Sequence, residues 1–229
     1  FVQYELKGNP EGIMVQRYLT DKRMHNNTRQ AGEAYTGYSK DFIDSYLCED
    51  GLPISLSPLY NGDEEWGDEI VNRDPRLKQS IYTSDRPYRI YDDGSVAIKE
   101  LPEFNNYCPT SYWITKAYSP YERDRLPSSA ITDDFIFRYA KILLNYAEAK
   151  AELGECTQEI LDISINQLRD RVAMPHLSTE VGFEDPNWPD WEVPVTPLIN
   201  EIRRERRIEL CAEGIRWDDI VRWKAGKLL

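Results

Sequence analysis

Forty of the 229 residues are Asp or Glu, so a carboxylate pair placed for acid–base work on a glycosidic bond is statistically unavoidable. Their number alone assigns no chemistry. The two histidines, His25 and His176, lie far apart and lack the His-Glu-x-x-His spacing of a metal site, and both read as surface residues. No Gly-x-Ser-x-Gly elbow, phosphate-binding glycine loop or dinucleotide fingerprint is present. The sequence therefore offers no catalytic residue, no metal ligand and no cofactor motif, and these residues assign it no reaction. Cys48, Cys108, Cys156 and Cys211 are too widely spaced for a zinc ribbon and too few for a disulfide-stapled mini-fold. Cys211, among Ile208, Ala212 and Ile215, reads as a buried free thiol. Asn26-Asn27-Thr28 matches a glycosylation acceptor, a three-residue pattern of low specificity.

Two charged motifs read as architecture. Glu201, Arg203, Arg204, Glu205, Arg206, Arg207, Glu209 and Glu213 interleave cations with anions over about three helical turns. Such a run cancels its own field. Arg206 and Glu209 can meet along the helix, and others can reach neighbouring helices in bidentate geometry. In Asn72-Arg73-Asp74-Pro75-Arg76, Pro75 biases Asp74 away from helical angles, so Asp74 is placed to cap the next turn while Arg73 and Arg76 tether the loop.

These motifs sit on a chain whose character changes near residue 130. The portion 1–130 holds most of the prolines and glycines, and its apolar residues come in short runs, which predicts loops, short strands and isolated turns. Within it, Ser39–Cys48 reads as a short helix with Phe42, Ile43, Tyr46 and Leu47 inward, and Tyr88–Tyr91 and Ser95–Ile98 flank Asp92-Asp93-Gly94 as a hairpin. The portion 131–229 reads as helical. Asp133 or Asp134 caps a predicted helix to Leu153 carrying Ile136, Tyr139, Leu143, Tyr146 and Lys150 on one face. A second, 158–172, aligns Leu161, Ile165, Leu168 and Val172, making an antiparallel helical hairpin with the first. Thr196-Pro197 starts a third, running to about Glu213 with Leu198, Ile202, Ile208 and Cys211 as its stripe. A last amphipathic stretch over 216–224 turns Trp217, Ile220 and Val221 inward. The hairpin around Ala147, Leu153 and Gly154 partly matches a tetratricopeptide repeat, without a second copy about 34 residues away.

Hydrophobic residues at 41% and aromatic ones at 12% indicate a globular chain. A net charge of -12 argues against nucleic acid or an anionic bilayer as a direct ligand. No apolar run is long enough to span a membrane, and nothing at Phe1 reads as a signal peptide. The ends suggest a fragment.

Four ordered blocks then carry a resemblance. Phe137–Lys150 (FRYAKILLNYAEAK), Asn166–Pro175 (NQLRDRVAMP), Ile202–Leu210 (IRRERRIEL) and Glu213–Lys224 (EGIRWDDIVRWK) resemble the C-terminal signature of the SusD/RagB family, and Asp44–Cys48, Asp50–Ile54 and Asn72–Leu77 resemble upstream family motifs. The resemblance implies a mainly α, superhelical fold with tetratricopeptide-type hairpins plus a loop-rich region with short strands. It further implies a surface-exposed lipoprotein of the Bacteroidetes outer membrane, anchored by an N-terminal lipid outside this fragment. Such a protein caps a SusC-like TonB-dependent transporter and delivers oligosaccharides, or sometimes peptides or other nutrients, to it. The family's N-terminal portion is then absent, with 1–130 the ligand-facing part and 131–229 the helical part.

On that reading, a sugar ring presents C–H groups to an aromatic face while amides and carboxylates take its hydroxyls. Tyr60, Asn61, Asp63 and Trp66 in the polar stretch Pro58–Trp66 are the first candidates, and Tyr88, Tyr91 and Trp113 the next. Each also has a plainer role in core packing. Trp188 and Trp191 are alternative surface aromatics or a lid over the helices. Asp74, Arg76, Arg203, Glu205, Arg206, Glu209 and Trp217 are expected to be structural. A helical scaffold that only joins proteins, and a glycoside hydrolase, are the competing classes; partner capture without any small solute would mark the first and shortened glycan chains the second.

Overall fold

A computed structural model describes residues 1–33 and 35–228. In chain order the elements are β1 (Gly12–Gln16), α1 (Asn27–Glu33), α2 (Lys40–Asp44), α3 (Pro75–Ser80), β2 (Arg89–Ile90), β3 (Val96–Ala97), β4 (Asp134–Arg138), α4 (Tyr139–Glu152), α5 (Gln158–Asp162), α6 (Ile165–Asp170), α7 (Pro197–Glu209) and α8 (Arg216–Arg222), with short 3-10 turns between some of them. The chain is mainly helical with few, short strands. It forms two compact units: Phe1–Ile43 with Leu77–Tyr139, and Asp44–Arg76 with the chain from Ala140 onward.

In the first unit β1 and β4 pair antiparallel, Gly12 opposite Arg138 and Gln16 opposite Asp134, with irregular register between Gly12 and Val15. This corrects the expected helix start. Ile136 and Tyr139 mimic helical spacing, but Phe135-Ile136-Phe137 suits a pleated strand better, and the helix begins only at Tyr139. Asp133 is buried and accepts the backbone N–H groups of Leu6 and Tyr18, both at 3.0 Å, so it ties down the N-terminal segment instead of capping a helix. His25, expected at the surface, is buried: the Asn27 amide donates to its Nδ1 at 3.1 Å, leaving Nε2 to donate to the Thr132 carbonyl at 2.9 Å. The hairpin of β2 and β3 forms as predicted, with Gly94 at φ +83° in its turn.

In the second unit one apolar core joins α4, α5, α6 and α7 through Ala140, Leu143, Leu144, Ala147, Leu161, Ile165, Leu168 and Ile202. The stripe of α4 differs from expectation. Small Ala140 and Ala147 face the core and let the helices approach closely, whereas Ile136, Tyr139 and Tyr146 stay at least 40% exposed. The predicted second helix is two. Ser164, at φ -131° and ψ -96°, turns its hydroxyl back onto the Ile160 carbonyl and separates α5 from α6. Thr196 accepts from the Ile199 amide at 3.3 Å and Pro197 follows it, starting α7 as predicted. It ends at Glu209, earlier than expected, because Ala212 and Gly214 adopt left-handed φ angles of +57° and +73°. Cys211 is a buried thiol outside any disulfide, 4.0 Å from the Tyr46 hydroxyl.

α8 corrects another expectation. Asp219, Ile220 and Trp223 are buried, which places Trp217 and Val221 on the opposite face, 63% and 60% exposed. The tryptophan of this segment that packs inward is Trp223, edge-on to Trp191 with ring centroids 5.6 Å apart.

Candidate functional site

The buried charges of α7 are tied to several other elements of the second unit. Glu205, 1% exposed, accepts from Arg76 Nη1 at 2.5 Å and from Arg169 Nε at 2.9 Å. Glu209 accepts from the same Arg76 nitrogen at 3.1 Å and from Arg171 at 2.7 Å. Arg76 also grips Asp74 at 2.6 Å, and Asp74 accepts the Arg76 backbone amide at 2.9 Å, so the predicted turn clamp is present. Arg206 meets both oxygens of Asp219 at 2.8 Å, and Arg222 meets both of Glu148 at 2.5 and 2.6 Å. The pairing runs mainly between elements, as fork-shaped guanidinium groups allow.

Burial sets the protonation of these acids in opposite directions. Burial alone raises Glu205, but Arg76 and Arg169 outweigh it and hold the carboxyl below its ordinary value. In Glu201 burial wins over Arg204 and the Trp188 indole, and its value is raised. Arg76, despite its burial, is held well above its usual value by Glu205 and Asp74. Arg203 is met by Glu152 at 3.1 Å and lies over the rings of Trp191 and Trp223 at 4.6 and 4.7 Å.

The polar loop 58–71 belongs to the same unit. Ser57 starts it, donating to Asp50 at 2.7 Å and accepting from the Leu59 amide at 3.1 Å, while Asn72 donates to the Leu59 carbonyl at 3.1 Å from the far end. Gly62 and Gly67, at φ +88° and +104°, supply the turns that a side chain would resist. Asn61 and Asp63 are exposed, and Tyr60 and Trp66 are half-buried. Arg73, whose guanidinium donates to the carbonyls of Glu69 and Tyr46, lies 5.4 Å from the Tyr60 ring centre and steadies it. The loop thus joins half-exposed aromatic surface to exposed hydrogen-bonding groups.

The other candidates lie in the first unit, where Trp113 is buried and Tyr88 and Tyr91 are half-buried. Trp113 is 2% exposed and packs with Tyr82 and Cys108, so no solute reaches its ring. Tyr88 stacks on Tyr118 with centroids 5.7 Å apart, and Arg125 and Lys99 lie 4.9 and 4.4 Å from its ring. Lys99 also sits 4.1 Å from the Trp113 ring and pairs with Glu103 at 2.6 Å. These aromatics shelter cations within the protein. Burial pushes the Tyr118 phenol well up. Tyr91 is half-buried with Arg89 at 4.9 Å.

Trp191 is the buried lid, its indole donating to Asn200 at 2.6 Å; Trp188 is half-buried and donates to Glu201 at 2.8 Å. Among the described residues no group of three His, Cys, Asp or Glu side chains is placed to hold a metal ion, and no helix is long and apolar enough to cross a membrane.

Against this geometry, the sequence profile of the SusD family matches residues 5–228. A SusD-like protein P38 of Formosa agariphila is 38% identical over 96 residues, which is 42% of this chain and 18% of that protein. The crystal structure of a SusD-like carbohydrate binding protein from Bacteroides fragilis superposes with a TM-score of 0.67 and 27% identity, over 97% of this chain and 45% of that one. A second SusD-like protein of the same species gives 0.66 and 26%, over 96% and 45%. The chain therefore spans less than half the length of these relatives. With its profile match covering nearly every residue, and with the buried arginine–carboxylate motifs in place, the chain belongs to the SusD family.

Proposed function

We propose that the chain is part of a surface lipoprotein that captures oligosaccharides at the outer membrane and hands them to a SusC-like TonB-dependent transporter, without cleaving them. The observation that carries this is the family match over residues 5–228, joined to a solved relative described as carbohydrate binding. In this reading the helical hairpins form part of a superhelix of tetratricopeptide type. An N-terminal lipid lying outside this sequence anchors the whole, and the loop-rich portion 1–130 faces the ligand. Tyr60 and Trp66 supply C–H stacking surface, Asn61 and Asp63 take hydroxyls, and the half-buried Tyr88 and Tyr91 are the candidates of the first unit.

Capture followed by delivery requires release, so weak binding through several contacts suits the role better than deep enclosure. Calorimetry of the chain against a panel of glycans tests it. The expected result is a measurable but modest affinity for one glycan class, weakened by Trp66→Ala. Undiminished binding in that variant removes Trp66 from the site, and shortened glycan chains on incubation would contradict the non-catalytic reading.

A further inference from the structure

Residues 179–200 of the second unit line two adjoining clefts that the loop 58–71 does not touch. One, of about 380 Å³, is walled by Glu184, Asp185, Trp188, Val195 and Asn200. The other, of about 420 Å³, is walled by Glu180, Phe183, Glu184 and Leu198 among others, and Glu184 and Pro197 border both. The rings of Phe183 and Trp188 lie 6.0 Å apart and are tilted by 32°, so one aromatic wall continues from cleft to cleft.

That wall is held rigidly. The Trp188 indole donates to Glu201 at 2.8 Å, and Arg204 fixes the same carboxylate oxygen at 3.1 Å. The turn bearing the tryptophan is pinned as well, because the Trp188 amide donates to the Asp185 carbonyl at 3.1 Å. Asp185 itself is held by Arg204 at 2.6 Å and by Ser55 at 2.9 Å. A ring fixed before the ligand arrives loses little freedom on binding.

The wall's chemistry selects a ligand class. Prolines, Val195 and two aromatic rings offer surface to C–H groups, while the exposed Glu184 carboxylate offers hydrogen-bonding atoms beside them. Neither cleft is lined by a lysine or arginine, and Glu180 and Glu184 stand exposed at the rim, so an anionic solute is repelled.

We propose that these clefts form a subsite for a neutral oligosaccharide, one sugar ring lying on Trp188 and the chain continuing past Glu184 toward Phe183. This rests on the carbohydrate-binding reading above and extends it to a second patch of the same unit.

The test is fluorine NMR of the intact chain labelled with 5-fluorotryptophan, in which Trp188→Phe assigns the Trp188 signal among those of the six tryptophans. Neutral and uronic-acid oligosaccharides are titrated, with calorimetry alongside. The expected result is a Trp188 shift that saturates with a neutral glycan and is much smaller with an acidic one. Binding should weaken roughly two- to tenfold in Trp188→Ala, and detectably in Glu184→Gln, whose exposed side chain leaves the fold untouched. Glycan binding detected by heat, with the Trp188 signal unmoved, overturns the subsite and leaves the carbohydrate reading standing. An equal response to the acidic glycan overturns the assignment to neutral sugars. Absence of heat and of any shift across the panel overturns both.

Discussion

The two units bury positive charge by different means. In the second, Arg76, Arg169 and Arg206 each meet carboxylates of equally low exposure, so charge is cancelled by charge, and Arg203, over the Trp191 and Trp223 rings with the more exposed Glu152 beside it, is the exception. In the first, Lys99 and Arg125 lie against the rings of Tyr88, Trp113 and Tyr118, each with one acidic neighbour, Glu103 and Glu33, that is less buried. The first arrangement is directional and fails when one partner is lost. The second is softer, because a ring quadrupole tolerates displacement of the cation.

The largest effect should therefore follow Arg76→Ala, which leaves Glu205 and Glu209 buried with their shared donor gone; a loss of about 3–5 kcal/mol is expected by denaturant unfolding. Lowering the pH should damage the same cluster. Glu205 has a folded value below its unfolded one, so its contribution is present above the unfolded value and is lost as pH falls through the folded one. Glu201 works oppositely, contributing below its unfolded value and losing that contribution as pH rises through its raised folded value. Glu201→Gln should thus flatten the loss of stability that sets in as pH rises from the unfolded Glu201 value through its raised folded value, while leaving the loss on acidification due to Glu205 in place, as unfolding curves across pH will show.

In the first unit Lys99→Met should cost only about 0.5–2 kcal/mol, because the methionine stem still packs on the rings. A loss equal to that of Arg76→Ala would erase the contrast. Thr196→Ala, which removes the cap of α7, should cost about 1 kcal/mol by thermal unfolding. Trp217→Ala, on the exposed face of α8, should change stability by no more than about 0.5 kcal/mol.

What could be read from residue order was local or strongly periodic. Thr196-Pro197, the Asp92-Asp93-Gly94 turn, and the alignment of Leu161, Ile165 and Leu168 each depend on neighbours within one or two turns. Asp74 as a turn clamp was legible for the same reason, and so was the mixed-sign run of α7 as architecture. Its partners were not, since Arg206 reaches Asp219 and Glu148 by folding, not by spacing. The strand at Asp134–Arg138 was hidden because its register is set by Gly12–Gln16, more than a hundred residues away. Trp217 and Trp223 differ only in helix phase, which the left-handed residues at 212 and 214 reset.

The candidate site was legible in composition and not in burial. Trp66 and Trp113 both read as loop aromatics, and only the packing with Tyr82 and Cys108 takes Trp113 out of reach. The cleft beside Trp188 depends on the turn at Asp185–Trp188 meeting the start of α7, and no spacing rule announces it.

Hydrogen–deuterium exchange of the chain with and without its best-bound glycan tests the central claim most directly, since it asks whether gripping loops and a charge-locked platform are separate parts. Added protection in 58–66 and 183–197, with amides of Arg203–Glu209 unchanged, is the predicted result. Protection confined to the helices of the charged cluster, or to the buried ring cluster around Trp113, would contradict it.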